Sequence, residues 1–307
     1  MSAAPLFVVA APFCGASRLA AALGAHPQLY AVPETNLFVA GTVAELLEIF
    51  ELSQGSDADG LLRALAELEF GGEGDESVER ARQWLAARAD WPTPCVLEHL
   101  AARVAPRRLV VTETLSALRP LDLDRLCRAF PQAAAIQLVR HPWSHGALFA
   151  AWLADRLFVA ADYRDHSRDL APIDPQLAWL RVNGNVERVL APVYGERLLR
   201  VRDEDFRGER LATLAAIARH AGVAADALTV SALQPQAWTF HGYGPPAAPY
   251  GLDAELLEDL VPDDASARLD GPLPWRGDGV AFAAEVVASA RACGYGPEEN
   301  PSSQNPA

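Results

Sequence analysis

Lysine is absent from this chain: all 26 basic residues among its 307 are arginine. No mechanism here can use a lysine, either as an amine nucleophile or as a point charge on a phosphate. Cysteine is scarce, with four residues (Cys14, Cys95, Cys127, Cys293) and no Cys-x-x-Cys pair. That usage argues for a reducing, cytoplasmic compartment and against a structural zinc site, so no metal is expected. Positive charge is in deficit overall: 40 acidic residues give a formal net charge of −14, which speaks against non-specific nucleic-acid binding. No apolar run reaches the ~18 residues of a membrane span, and no membrane partner is expected. No basic region precedes the first apolar run and Pro12 breaks it early, so a core strand is expected there and not a signal peptide. Internal repeats and Pro/Ser-rich linkers are lacking too. A single domain over 1–296 is expected, with a disordered tail over 297–307.

Half the residues are apolar, enough for a sizeable core. The chain is organised around Pro5 to Phe38. Leu6 to Ala11 is long enough for one buried parallel strand. Pro12-Phe13-Cys14-Gly15-Ala16-Ser17 makes a tight turn, and an Ala- and Leu-rich helix ends near Gly24. Strand, small-residue loop and helix together point free backbone N–H groups at an anion. The loop is not a Walker loop, because no Gly-Lys-Ser/Thr follows.

Further along, Gly41 to Val104 carries apolar residues at helical spacing, with Thr42 able to cap the first segment. This block, about 41–105, is expected to be a helical cap. Short buried strands are expected over Arg107–Thr112, Ala133–Val139 and Arg197–Val201. Helices are expected over Leu121–Phe130 with Asp122 as N-cap, Trp143–Leu157, Gln176–Leu190, Leu211–Ala221 and Val280–Ala292. Arg140 ends the third of these four strands, at the same sheet edge as the first loop, where open parallel sheets gather ligands. The fold expected is α/β in three layers: a central parallel sheet of four or five strands flanked by helices, with the helical cap inserted.

Four landmarks occur in order: the first loop with HPQLYAVPETNLF, a strand ending LVRHP, the helix W179LRVNGN185, and LLRVRDEDF. Together, over roughly residues 5–206, they resemble the sulfotransferase family with its P-loop-like fold. That family moves a sulfuryl group from 3′-phosphoadenosine-5′-phosphosulfate (PAPS) to an acceptor. The HPQLY-xx-PE-x-NLF wording is most similar to bacterial sulfotransferases associated with polyketide assembly lines. The resemblance implies PAPS as donor, with Phe13, Gly15, Ala16, Ser17, Arg18 and Arg140 at its positions, and Glu34 as base. The acceptor would be a hydroxyl on a small-molecule or carrier-bound acyl chain in secondary metabolism.

Several departures stand against the pattern: Ala16 replaces a loop hydroxyl, and the family's C-terminal Gly-rich basic loop has no clear match. Phe13 occupies a basic position, Glu113 replaces a second basic residue, and Leu148 stands where a Ser usually helps hold the 3′-phosphate. Preorganised cations lower the barrier to sulfuryl transfer, and one lost donor costs roughly 3 kcal/mol. Arg18, one turn into the helix, is a candidate to swing back. A second chemistry is therefore open. Cys14 at a helix N-terminus is a candidate nucleophile, with Glu34 or His145 (or His26 or His141) as base, acting on an acyl or peptidyl thioester without PAPS. A non-catalytic binding remnant is the third alternative. Trp238 and His241 are candidates for an acceptor pocket.

Overall fold

Five apolar residues, Leu6–Ala10, form strand β1, and every one of them is buried. A run buried on both faces needs neighbours on both edges and helices above and below. It has both. The computed structural model describes residues 4–53, 55–153, 163–167, 171–226 and 242–296. Its sheet has the order β2-β3-β1-β4-β5, with β2 at Leu29–Val32, β3 at Arg108–Glu113, β4 at Ala134–Val139 and β5 at Leu198–Arg202. All neighbouring strands pair parallel. Parallel strands need crossovers, and helices supply them: α1 (Ala16–Gly24) after β1, α6 (Pro120–Ala129) after β3, and α7 (Pro142–Leu153) and α8 (Pro175–Asn185) after β4. Phe7, Phe38 and Phe130 meet edge-on or tilted beside β1, with ring centroids 5.8 to 6.1 Å apart. Such contacts add about 1 kcal/mol each beyond the area they bury.

The sheet has five strands. The fifth, β2, is the stretch Leu-Tyr-Ala-Val inside the HPQLYAVPE wording, which is not anticipated as a strand. The cap lies between β2 and β3: α2 (Val43–Leu52), α3 (Asp59–Phe70), α4 (Asp75–Ala86) and α5 (Thr93–Val104). Thr42 caps α2 in full, its hydroxyl accepting from Glu45 N–H while Glu45 accepts from Thr42 N–H. Asp122 is not an N-cap. Arg119 holds that position, because Pro120 starts α6, and Asp122 instead accepts from Arg125 at 2.8 Å. Helix α8 runs on through a π turn, Val186–Leu190, into α9 (Ala191–Tyr194).

After β5 come α10 (Asp203–Gly208) and α11 (Arg210–His220). A short turn, Ala254–Leu257, and a last helix, Ala284–Ala292, complete the chain's regular structure among the described residues. That last helix starts four residues later than expected, and Gly294 at φ +88° follows it. Trp238, His241 and the 297–307 tail lie outside the described residues. No described helix is long and apolar enough to cross a membrane.

Candidate functional site

Parallel strands all end at one edge, so the residues that follow them meet there. In this chain all five contribute. The loop Pro12–Ser17 follows β1, Glu34 follows β2, Glu113 and Thr114 close β3, Arg140 follows β4 and Asp203 follows β5.

The loop turns through two left-handed residues, Phe13 at φ +63° and Gly15 at φ +79°. Gly15 is required twice over, since a Cβ there would also lie 2.7 Å from Asp203 Oδ1 and 3.2 Å from Arg140 Nη2. The turn delivers Ser17 to the start of α1, where its N–H and hydroxyl face out of the helix end. Both are used, but by the chain itself. Ser17 N–H donates to Asp253 Oδ2 at 3.1 Å, and Asp253 N–H donates back to Ser17 Oγ at 2.8 Å. The helix N-terminus is thus occupied by the carboxyl group of Asp253.

Arg140 is fully buried. Its five N–H groups all find acceptors: Nε and Nη2 donate to Asp203 Oδ2 at 3.0 and 2.7 Å, Nη1 to Phe13 O at 2.6 Å, and Nη1 and Nη2 to the two Glu255 oxygens at 2.7 and 2.9 Å. Burial alone would lower its pKa; the Glu255 and Asp203 carboxylates outweigh that and hold the guanidinium charged. Arg18 lies 3.6 Å from Glu255.

Glu34 is anchored through one oxygen. Thr114 N–H at 2.7 Å, Leu115 N–H at 3.0 Å and the Thr114 hydroxyl all donate to Oε1. Among the described residues no donor holds Oε2. Burial pushes its pKa up, against the pull of these hydrogen bonds. The neighbouring Glu113 is fully buried, accepts from the Thr35 hydroxyl at 3.4 Å, and keeps Oε2 unpartnered. Burial, reinforced by the charge of Glu34, pushes it up to about 8, so it is mostly protonated at neutral pH. A neutral Glu113 donates no charge and repels none.

Phe13, at the position the resemblance assigns to a cation, is buried against Phe149 and Trp152, with ring centroids 5.4 and 5.2 Å away. Leu148, at the expected Ser, belongs to the same apolar cluster, and Ala254 and Leu260 pack on it. The two departures are therefore one feature. Ala16, the first residue of α1, is fully buried.

Cys14 and His145 lack the state that chemistry would need. Cys14 is buried, and burial drives its thiol far above the thiolate range despite the nearby Arg140. His145 is fully buried, and both of its ring nitrogens lack a hydrogen-bond partner among the described residues. Burial and the Arg140 charge push it down to about 3, which leaves it neutral and a weak base. His26 faces away from the site, bonding Ala224 O and Gln28 N–H. Among the described residues no group of three or more His, Cys, Asp or Glu side chains is placed to hold a metal ion.

Sequence reasoning missed Asp203, Thr114, Asp253 and Glu255. Asp203 and Thr114 had a signal, their position at strand ends. Asp253 and Glu255 had none, being 236 and 115 residues from the groups they meet.

The model of the sulfotransferase family matches residues 5–227. The chain belongs to that family. Among solved structures it is similar to the sulfotransferase domain from the Synechococcus PCC 7002 olefin synthase, with 24% identity, a TM-score of 0.73 and 96% of each chain covered. It is also similar to the sulfotransferase domain from the curacin biosynthetic pathway, with 20% identity, a TM-score of 0.72, and 96% of this chain and 99% of that one covered. At these identities the likeness establishes a shared fold. No curated protein matches the chain.

Proposed function

We propose that this chain is a transferase of sulfotransferase type that acts on a hydroxyl of a small-molecule or carrier-bound acyl chain, with Glu34 as general base. The state of Glu34 carries this reading. A general base must be fixed in place and still have one oxygen free for the proton it takes. Glu34 has Oε1 held by three donors and Oε2 free among the described residues, and burial makes it a stronger base than an exposed carboxylate. The acceptor class follows the resemblance of the Glu34 segment and the biosynthetic setting named for the two solved domains of the same fold.

PAPS is the donor that family membership implies. In the conformation described, the residues present do not fit it. An incoming phosphosulfate would meet Asp253 on the Ser17 N–H, a 3′-phosphate would find the Arg140 donors taken, and Phe13 brings no charge. The chain's own part in the reaction is therefore limited to what its groups support: Glu34 Oε2 receives the hydroxyl proton, and Thr114 and Leu115 orient the carboxylate by holding Oε1. Glu34→Gln is expected to lower turnover of a hydroxylated acyl substrate about 100-fold or more with the circular dichroism unchanged. Full activity in that variant sinks the assignment.

The apolar cluster around Phe13 and Leu148 favours a second reading, in which PAPS has been given up and Glu34 acts on an acyl or peptidyl thioester. Calorimetry with adenosine 3′,5′-bisphosphate separates the two. Low-micromolar binding supports the donor-using reading, and no binding by well-folded protein selects the donor-free one.

A further inference from the structure

The occupants of the anion site come from a single segment. Residues 242–250 are rooted on the cap. Arg63, fully buried, donates to Gly242 O at 3.0 Å and Tyr250 O at 2.7 Å; Tyr250 N–H donates to Asp59 at 3.0 Å; and Arg82 donates to Ala247 O at 2.8 Å. Beyond Gly251 the chain crosses the sheet edge as a strap. Gly251 O accepts from Glu34 N–H at 2.9 Å, Asp253 exchanges two hydrogen bonds with Ser17, and Glu255 grips Arg140. Ala254 and Leu260 then sit on the Phe13–Leu148 cluster. The strap starts at a joint, since Gly251 adopts φ +101° and rests on the Cα of Gly60, where an added Cβ would approach to 2.4 Å.

We propose that residues 251–257 are a displaceable internal ligand, whose Asp253 and Glu255 carboxylates hold the family's anion site closed until an anionic ligand exchanges with them. The inference rests on the anion site of the reading above, and not on which donor fills it.

Three features support exchange over permanent closure. The strap binds through charged groups at positions where a phosphate or sulfate oxygen would be bound equally well. Asp253 is a poor occupant: burial and the charge of Glu34 push its pKa up to about 7, so an anion of lower pKa has the advantage there. And simple opening is disfavoured, because withdrawing Glu255 without replacement would leave the buried Arg140 with one carboxylate partner instead of two. The strap should therefore leave as the ligand arrives. On this view Phe13 and Leu148 form the seat of Ala254 in the strap and of Leu260 just beyond it, which gives a physical reason for the loss of a cation and a hydroxyl in the same place.

Pyrophosphate and adenosine 3′,5′-bisphosphate are the probes, titrated by calorimetry into the wild type and an Asp253→Asn/Glu255→Gln double variant. The double variant is expected to bind pyrophosphate about tenfold more tightly or better, the gain from removing a competing conformation. As a measurement independent of that variant's folding, saturating pyrophosphate should speed hydrogen exchange of the 251–257 amides in the wild type while leaving 242–250 protected. Equal affinity in both proteins, or no binding by either, with strap exchange unchanged, overturns the proposal. Pyrophosphate release of the strap without bisphosphate binding upholds the strap and removes PAPS as donor. Bisphosphate binding with the strap's exchange unchanged does the reverse.

Discussion

Phe13 shows how far one side chain reaches. Its φ of +63° is a conformation that a bulky residue seldom adopts, and its ring is held there by Phe149, Trp152 and the neighbouring Leu148. Replacing it with Arg would place a charge in that cluster, and an unpaired buried charge is costly. Phe13→Arg is therefore expected to lower stability by about 2–4 kcal/mol in a denaturant titration, and to loosen the strap, read as faster exchange at residues 251–257. Unchanged stability would mean that the ring is not the support described. The sequence reveals that Phe13 departs from the family pattern, because the loop's wording is local. It does not reveal that Leu148 is the same departure, because the two meet only through the packing of α7 on the loop. Arg140 illustrates the same limit. Its place at a strand end is legible, while its saturation by Asp203 and Glu255 depends on segments 63 and 115 residues away.

The crossing of β2, α3 and the strap is built on close backbone approach. Gly60 in the first turn of α3 touches Glu34, and a Cβ at Gly60 would lie 2.0 Å from Glu34 O. Gly251 rests on the same Gly60 Cα. Gly60→Ala thus pushes on Glu34 and the strap joint together. It is expected to destabilise the fold by about 1–3 kcal/mol, although Ala is the better helix former, and to weaken turnover along with stability. A variant as stable as the wild type would show that the approach is looser than described. The elements themselves were largely readable. Apolar runs mark β1, β3 and β4, and Thr42 marks the start of α2. Strand β2 was not, because four residues between Gln28 and Pro33 are too few for periodicity to register. The strap was not legible either: Gly251-Leu252-Asp253-Ala254-Glu255 has neither strand nor helix periodicity, and its order comes from the groups it meets.

Across the whole molecule, acids dominate both composition and site. The net charge is −14, and the carboxyl groups of Glu34, Asp57, Asp59, Glu113, Asp122 and Asp253 all have pKa values raised by burial. Unfolded, such groups ionise near pH 4. Folded, Asp122 is pushed up to about 6, Asp253 to about 7 and Glu113 to about 8. Between these limits the native state binds more protons than the unfolded one. Linkage then fixes the sign: stability from these groups is fully present below about pH 4 and is lost as the pH rises towards 8. Self-repulsion of a chain carrying this excess of acid acts in the same direction. His141 and His145, pushed down to about 4 and about 3 by burial, act the opposite way below about pH 6.5, so the melting temperature is expected to fall most clearly from pH 6.5 to pH 8.5. Glu113→Gln, which keeps the shape and removes the titration, should flatten the upper part of that profile, raising the melting temperature at pH 8.5 and leaving it nearly unchanged at pH 5. A variant that melts lower at both values would show instead that Glu113 is ionised in the fold and held by a partner, which would make it a charge beside Glu34.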